Sequence, residues 1–317
     1  MEDTMTPSGS DRTDRGSDST KPTMSVIIAT LGRPEHLPNA LESLRNSEVT
    51  PDEVLIVDGS ADSDALDLTA REDAISPYPI RHIHSDPGSS RQRNVGISAA
   101  VCDVVVFLDD DAKVSEHALR EIGAAYADSS VVGATARIVE PYGNEVGGKV
   151  SLFRRVFNAG GEPGTFTIAG FPRRLQDETV RRDIEFMQGA FMTARRPEAR
   201  QVCFDETLAG YGLAEDEDFS YRLSGLGKLR YLGDVEIQHD NAGFSNRDSV
   251  AFAQRVVRNR RYLFHKNFET TRSSRTAFAL LMGTLVIHRL LNREVAAAVA
   301  LAVSAIRGEE QGMGPQR

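Results

Sequence analysis

The run Asp103-Val104-Val105-Val106-Phe107-Leu108 ends in three consecutive aspartates, Asp109-Asp110-Asp111. β-branched and aromatic residues bounded by polar ones read as a buried central strand. Open α/β sheets bind their ligands at the carboxyl ends of such strands. Three adjacent carboxylates there repel one another unless positive charge sits among them, and hard divalent cations take carboxylate oxygens. A solvated acidic loop would suit an acidic chain, but not a position directly behind a buried strand. A cation held at such a strand end usually carries the phosphates of a nucleotide.

The surrounding pattern supports that sheet. Met24–Thr30, Glu53–Val57 and Ile80–His84 read as strands. Helical spacing marks His36–Asn46 through Leu37, Ala40, Leu41 and Leu44, and a second helix is expected over Arg91–Ala100. This alternation predicts an α/β fold with a Rossmann-like, mostly parallel sheet, flanking helices and right-handed crossovers. Ser115 is placed to cap the helix that carries Leu119, Ile122 and Tyr126. Pro141–Arg182 is rich in Gly, Pro and Arg, and reads as loops with a short helix, a stretch suited to a substrate-side lid.

Three regions follow. Residues 1–22 have almost no large apolar residue and read as a disordered tail. Residues 23–245 would be the catalytic domain, and 246–310 a helical C-terminal extension. In the extension, Thr276–Ile287 and Val295–Ile306 are apolar stretches of about a dozen residues, and a spanning helix needs about 17–25. They are expected to pack on the domain or on a second subunit as a homodimer contact. The other reading is peripheral contact with a membrane surface, helped by the basic stretch Arg255–Lys266.

The net charge of −9 argues against a general nucleic-acid binder. Cys102 and Cys203 lie in no CxxC pattern, which suggests neither a zinc site nor a disulfide framework. No signal-peptide core is visible. A cytoplasmic protein, at most on the inner face of the cell membrane, fits these features.

Several motifs carry both a plain and a functional reading. Gly143–Lys149 nearly matches a P-loop, but Val150 stands where the metal-binding hydroxyl belongs. No GxGxxG follows the first strand. Asp58 ends a strand and could equally form a turn with Gly59-Ser60. Arg91-Gln92-Arg93-Asn94 opens a helix, where an N-terminus flanked by Arg suits a diphosphate; a solvated basic patch is the plainer reading. Glu215–Asp218 suits a first helical turn simply through the helix dipole. Within it, Asp216 shares a face with Phe219, Leu223 and Leu226, while Asp218 and Arg222 pair at i,i+4. An acid on an apolar face should be either paired or at work. His239 ends an alternating strand, Tyr231–His239, where a lone His is structural more often than a ligand.

Together these segments resemble the family 2 glycosyltransferases of the A-type (GT-A) fold, including bacterial cell-surface, rhamnosyltransferase-like members. The matching pieces run in family order from SVIIATLGRP (Ser25–Pro34) through LIVDGS, PGSSRQRNVGI, FLDDDA, FMQGAFMTARR, CFDETL and EDEDFSYRL to VEIQHD (Val235–Asp240). The resemblance implies that Thr30 and Asp58 touch the nucleoside and Arg93 the base or diphosphate. Asp109 and Asp111 match the outer positions of the DxD motif, Asp109 toward ribose and sugar and Asp111 toward the metal. His239 matches a late metal-side histidine, Asp216 the catalytic base, and Gln188-Gly189-Ala190 a loop near the sugar. Asp110 receives no role, and Phe191 stands where the family often has Asn or Asp.

The implied reaction is metal-dependent, inverting transfer of a sugar from a nucleotide-diphosphate sugar to a glycan or lipid-linked acceptor, with Mg²⁺ or Mn²⁺. A sugar-phosphate nucleotidyltransferase would want a glycine-rich loop after the first strand, and Ala29–Pro34 has one glycine. An inactive glycan-binding relative would have little use for Asp111 and Asp216 together.

Overall fold

Four strands, β1 (Met24–Thr30), β2 (Glu53–Asp58), β3 (Ile80–His84) and β4 (Val104–Asp109), form the parallel half of a nine-stranded sheet in the computed structural model. The structure describes residues 21–61, 64–140, 161–175, 178–208, 213–240 and 249–307. The sheet order is β3-β2-β1-β4-β8-β6-β9-β5, with β7 (Arg182–Ile184) on β9. β5 is Ala112–Val114, β6 Val131–Val139, β8 Phe191–Arg195 and β9 Lys228–His239.

The parallel order expected from the sequence holds from β3 to β4. Beyond it the sheet is mixed: β8 runs antiparallel to β4 and β6, β5 and β7 run antiparallel to β9, and β6 and β9 are parallel. β5 has only three residues, too few to show a period.

Helices cover both faces, which is why β1, β2 and β4 are continuously apolar rather than alternating. Val26 and Ile28 join one core with Leu37, Leu41 and Leu44 of α1 (Leu37–Arg45) and with Leu119 and Ile122 of α4 (Ala118–Ala125). α2 (Asp64–Asp73) lies on β3 of the same half. Ile27, Leu55 and Phe107 join the other core, with Ile97 of α3 (Ser89–Ala99). Each fully buried large apolar side chain contributes about 1.5–3 kcal/mol. Gly96 lets α3 lie directly on β1, because a Cβ there would meet Ile27 Cγ2 at 2.3 Å.

α5 (Arg196–Val202) and α6 (Glu215–Ser224) complete that second layer. Phe219 and Leu223 are buried as the helical spacing predicts. Leu226 is not part of that face: Gly225 ends the helix and Leu226 turns outward, 39% exposed. Ser115 does not cap α4. Its backbone is used in the turn after β5, with its carbonyl accepting from the Ala118 N–H at 2.9 Å, and His117 occupies the N-cap.

The C-terminal extension is α7 (Ser249–Asn267), α8 (Arg272–Leu291) and α9 (Val295–Arg307), which share an apolar core of Ala253, Val257, Leu281, Met282, Ala297 and Leu301. Residues 1–20 of the expected 1–22 tail, most of the glycine-rich stretch and the near P-loop lie outside the described residues.

Candidate functional site

Strand register gathers the site. Thr30 pairs with Asp58 across β1 and β2, and Ala29 with Asp109 across β1 and β4, so three strand ends share one edge. Because β8 is antiparallel to β4, the loop before it arrives at the same edge, and the Asp109 N–H donates to the Ala190 carbonyl at 3.1 Å. His239 pairs with Ala112 across β9 and β5, and the Asp240 N–H donates to the Asp111 carbonyl at 3.0 Å. That pairing sets the imidazole beside the acidic triplet.

Asp109, Asp111 and His239 each offer a ligand atom, and these atoms lie within 4.8 Å of one another. His239 Nε2 is 3.3 Å from Asp111 and 4.0 Å from Asp109, and its Nδ1 is 3.6 Å from Glu140. Burial would lower the imidazole pKa, but the surrounding carboxylates outweigh it and push it up to about 10. Positive charge is thus strongly favoured at this spot. Two carboxylates and one imidazole are a donor set that fits Mg²⁺ or Mn²⁺.

Asp110 points elsewhere. Its buried carboxylate accepts from the Thr30 hydroxyl at 2.8 Å and from Arg33 at 2.7 Å. Burial pushes its pKa up to about 6, against the opposing pull of Arg33 and Thr30. Arg33 also lies 3.8 Å from Asp111. The middle aspartate thereby ties the β1 loop to the strand that carries the other two.

Arg93 is buried on α3 and forks between two elements. It donates to Asp109 at 2.9 Å, to Glu215 at 3.1 Å and to the Gly189 carbonyl at 3.3 Å. Its guanidinium stands 5.4 Å from the Phe204 ring centre, and Phe204 stacks on Phe219 of α6. Burial disfavours the charge, but Asp109, Glu215 and Asp216 more than offset it and raise the Arg93 pKa.

Asp216 is half-buried in the first turn of α6. It accepts from the Gly189 N–H at 3.1 Å and from the Glu217 N–H at 2.9 Å. Its neighbours anchor the helix. Glu217 forms a buried ion pair with Arg260 of α7. Asp218 pairs with Arg222, as the i,i+4 spacing predicts, and also meets Lys266 and Asn267. Ala214 precedes the helix with φ +73°, a left-handed conformation that is strained for any residue but glycine.

Asp58 is fully buried and accepts from the Ser60 N–H at 2.8 Å, with His82 Nε2 at 3.2 Å. Burial would raise its pKa, but the Ser60 and His82 contacts hold it below the usual carboxylate value. The turn reading and a place at the site hold together. Gln92 donates to the carbonyls of Thr30 and Val57 at 2.7 and 2.8 Å, stitching β1 and β2 to α3.

All eight sequence-derived candidates, Thr30, Asp58, Arg93, Asp109, Asp111, Gly189, Asp216 and His239, lie at or against this edge. The sequence reading missed Arg33, Gln92 and Glu215. All three sit inside motifs already singled out, and only their contacts reveal what they hold.

A mixed sheet with a strand-end acid cluster and a second acid on a facing helix defines the A-type glycosyltransferase fold class. The family model for glycosyl transferase family 2 matches residues 25–200, more than half of the chain, and the protein belongs to that family. It is 30% identical over 111 residues to the uncharacterized glycosyltransferase alr2836 of Nostoc sp. (strain PCC 7120), a match covering 35% of this chain and 34% of that relative. The mannosyltransferase PcManGT of Pyrobaculum calidifontis, solved with GDP-Man and Mn²⁺, aligns with a TM-score of 0.55 and 15% identity, covering 92% of this chain and 89% of that one. GalNAc-T7, solved with UDP, GalNAc and Mn²⁺, aligns with a TM-score of 0.54 and 14% identity, covering 75% of this chain and 49% of that one.

Proposed function

We propose that this protein transfers a sugar from a nucleotide-diphosphate sugar to a hydroxyl of a glycan or lipid-linked acceptor, with inversion at the anomeric carbon. One observation carries this reading. Gly189 joins the two halves of the site, its carbonyl accepting from Arg93, which also holds Asp109, while its N–H donates to Asp216. A donor-side acid cluster and a separate acid are thereby held in one rigid frame. The GDP-Man and Mn²⁺ in one solved fold neighbour, and the UDP, GalNAc and Mn²⁺ in another, support the same assignment.

In this reading Asp111 and His239, with Asp109, hold a Mg²⁺ or Mn²⁺ ion. When bound, the ion supplies positive charge against the diphosphate leaving group. Thr30 and Asp58 border the nucleoside, Arg93 orders the diphosphate side, and Asp109 and Gly189 border the sugar. Asp216 takes the proton from the acceptor hydroxyl. The acceptor oxygen bonds to the anomeric carbon as that carbon's bond to the diphosphate oxygen breaks, so the configuration inverts in one displacement. Two free cysteines, Cys102 and Cys203, suit a reducing cytoplasm.

The test is hydrolysis of a panel of nucleotide sugars with Mn²⁺, with Mg²⁺ or with chelator. At least one donor should be hydrolysed, with loss on chelation and in Asp111→Ala. Release of pyrophosphate from a nucleoside triphosphate would instead identify a nucleotidyltransferase.

A further inference from the structure

The C-terminal extension divides into two parts of different character. α7 faces the domain, with Arg260 and Lys266 paired to Glu217, Asp205 and Asp218 and Asn259 donating to the Leu213 carbonyl. The basic stretch Arg255–Lys266 is therefore not a free cationic face. α8 and α9 instead leave apolar side chains in solvent. Leu291 is 75% exposed and Ile306 85%, and Val295, Val299 and Val303 recur at four-residue spacing along α9. Leu290, Leu291 and Val295 flank the α8–α9 turn, where Arg293 is also exposed.

Charge indicates what covers this face. The whole chain carries −9, yet residues 272–307, which hold α8 and α9, contain five Arg and a single acid, Glu294, which pairs with Arg289. Arg272 and Arg275 are exposed at the start of α8, at the other end of that helix from Arg293. A second copy in a two-fold dimer would set this cationic region against itself. An anionic surface instead complements it, and apolar side chains beside Arg suit the boundary between headgroups and acyl chains. Among the described residues no helix is long and apolar enough to cross a membrane.

We propose that the α8–α9 hairpin docks on the surface of an anionic bilayer, inserting Leu290, Leu291 and Val295 and setting Arg272, Arg275 and Arg293 against lipid headgroups. This inference does not depend on the catalytic reading.

Co-sedimentation of the full chain with phosphatidylcholine vesicles, with and without phosphatidylglycerol, tests it. Binding should need the anionic lipid and weaken as salt is raised. Leu291→Asp/Val295→Asp, and separately Arg272→Glu/Arg275→Glu/Arg293→Glu, should each weaken it at least tenfold while circular dichroism and Tm stay unchanged. Absence of binding to anionic vesicles, or equal binding by the folded variants, would overturn the proposal. So would a concentration-dependent dimer, seen by light scattering, that Leu291→Asp/Val295→Asp abolishes in a chain that binds no vesicles.

Discussion

The Thr30 hydroxyl donates to the Asp110 carboxylate across 2.8 Å, with both side chains buried. The residue expected to touch a nucleoside therefore has its side chain committed to the middle aspartate, the one to which motif matching gave no role. Asp110→Ala leaves that hydroxyl without its acceptor and Arg33 without its nearer partner. It should cost about 1–3 kcal/mol in urea unfolding. Thr30→Val should cost less in the Asp110→Ala background than alone, a coupling of about 0.5–3 kcal/mol. Additive effects would show that the two do not act together.

Asp216 is held by two backbone N–H groups and has no salt-bridge partner within 4.0 Å among the described residues. Asp216→Asn keeps one carbonyl oxygen to accept from Gly189. Transfer should fall about 10²–10⁴-fold, while thermal shift by the donor is retained. Full transfer activity in this variant would remove Asp216 from the proton-transfer step.

Burial pushes the Glu215 carboxyl up to about 7 from 4.5, against the pull of Arg93 and with a further push from Asp216. An acid with a raised folded pKa gives stability that is complete below about 4.5 and lost as pH rises through about 7. Glu215→Gln has no such proton to lose. Its stability relative to wild type should improve by about 1–3 kcal/mol between about pH 5 and about pH 8. Unfolding curves at several pH values would read this, and a constant difference would count against it.

The Arg260–Glu217 pair joins α7 to the helix that bears Asp216. Arg260→Met strands a buried carboxylate and should destabilise by about 3–5 kcal/mol. Glu217→Leu added to it should recover part of that loss. If Arg260→Met leaves Tm unchanged, the extension is not part of the domain's stability.

The parallel half of the fold was legible because strands β1, β2 and β4 are apolar on both faces, a local pattern that survives any tertiary arrangement. The antiparallel entry of β8 was not, since nothing in Phe191–Arg195 encodes a direction. That entry nonetheless brings Gly189 to Asp216. Leu226 was misplaced for a related reason: spacing continues through Gly225, but the helix does not.

The sequence by itself determined the residue types at the strand ends and their order along the chain, which suffice for the family and the acid cluster. Only the tertiary structure decided which acid meets which partner. Asp109, Asp110 and Asp111 are adjacent and chemically identical, and differ only in what folding places beside them: Arg93, then Thr30 with Arg33, then His239. Those partners lie from 16 residues away (Arg93 to Asp109) to 128 (Asp111 to His239), and no local period can encode them.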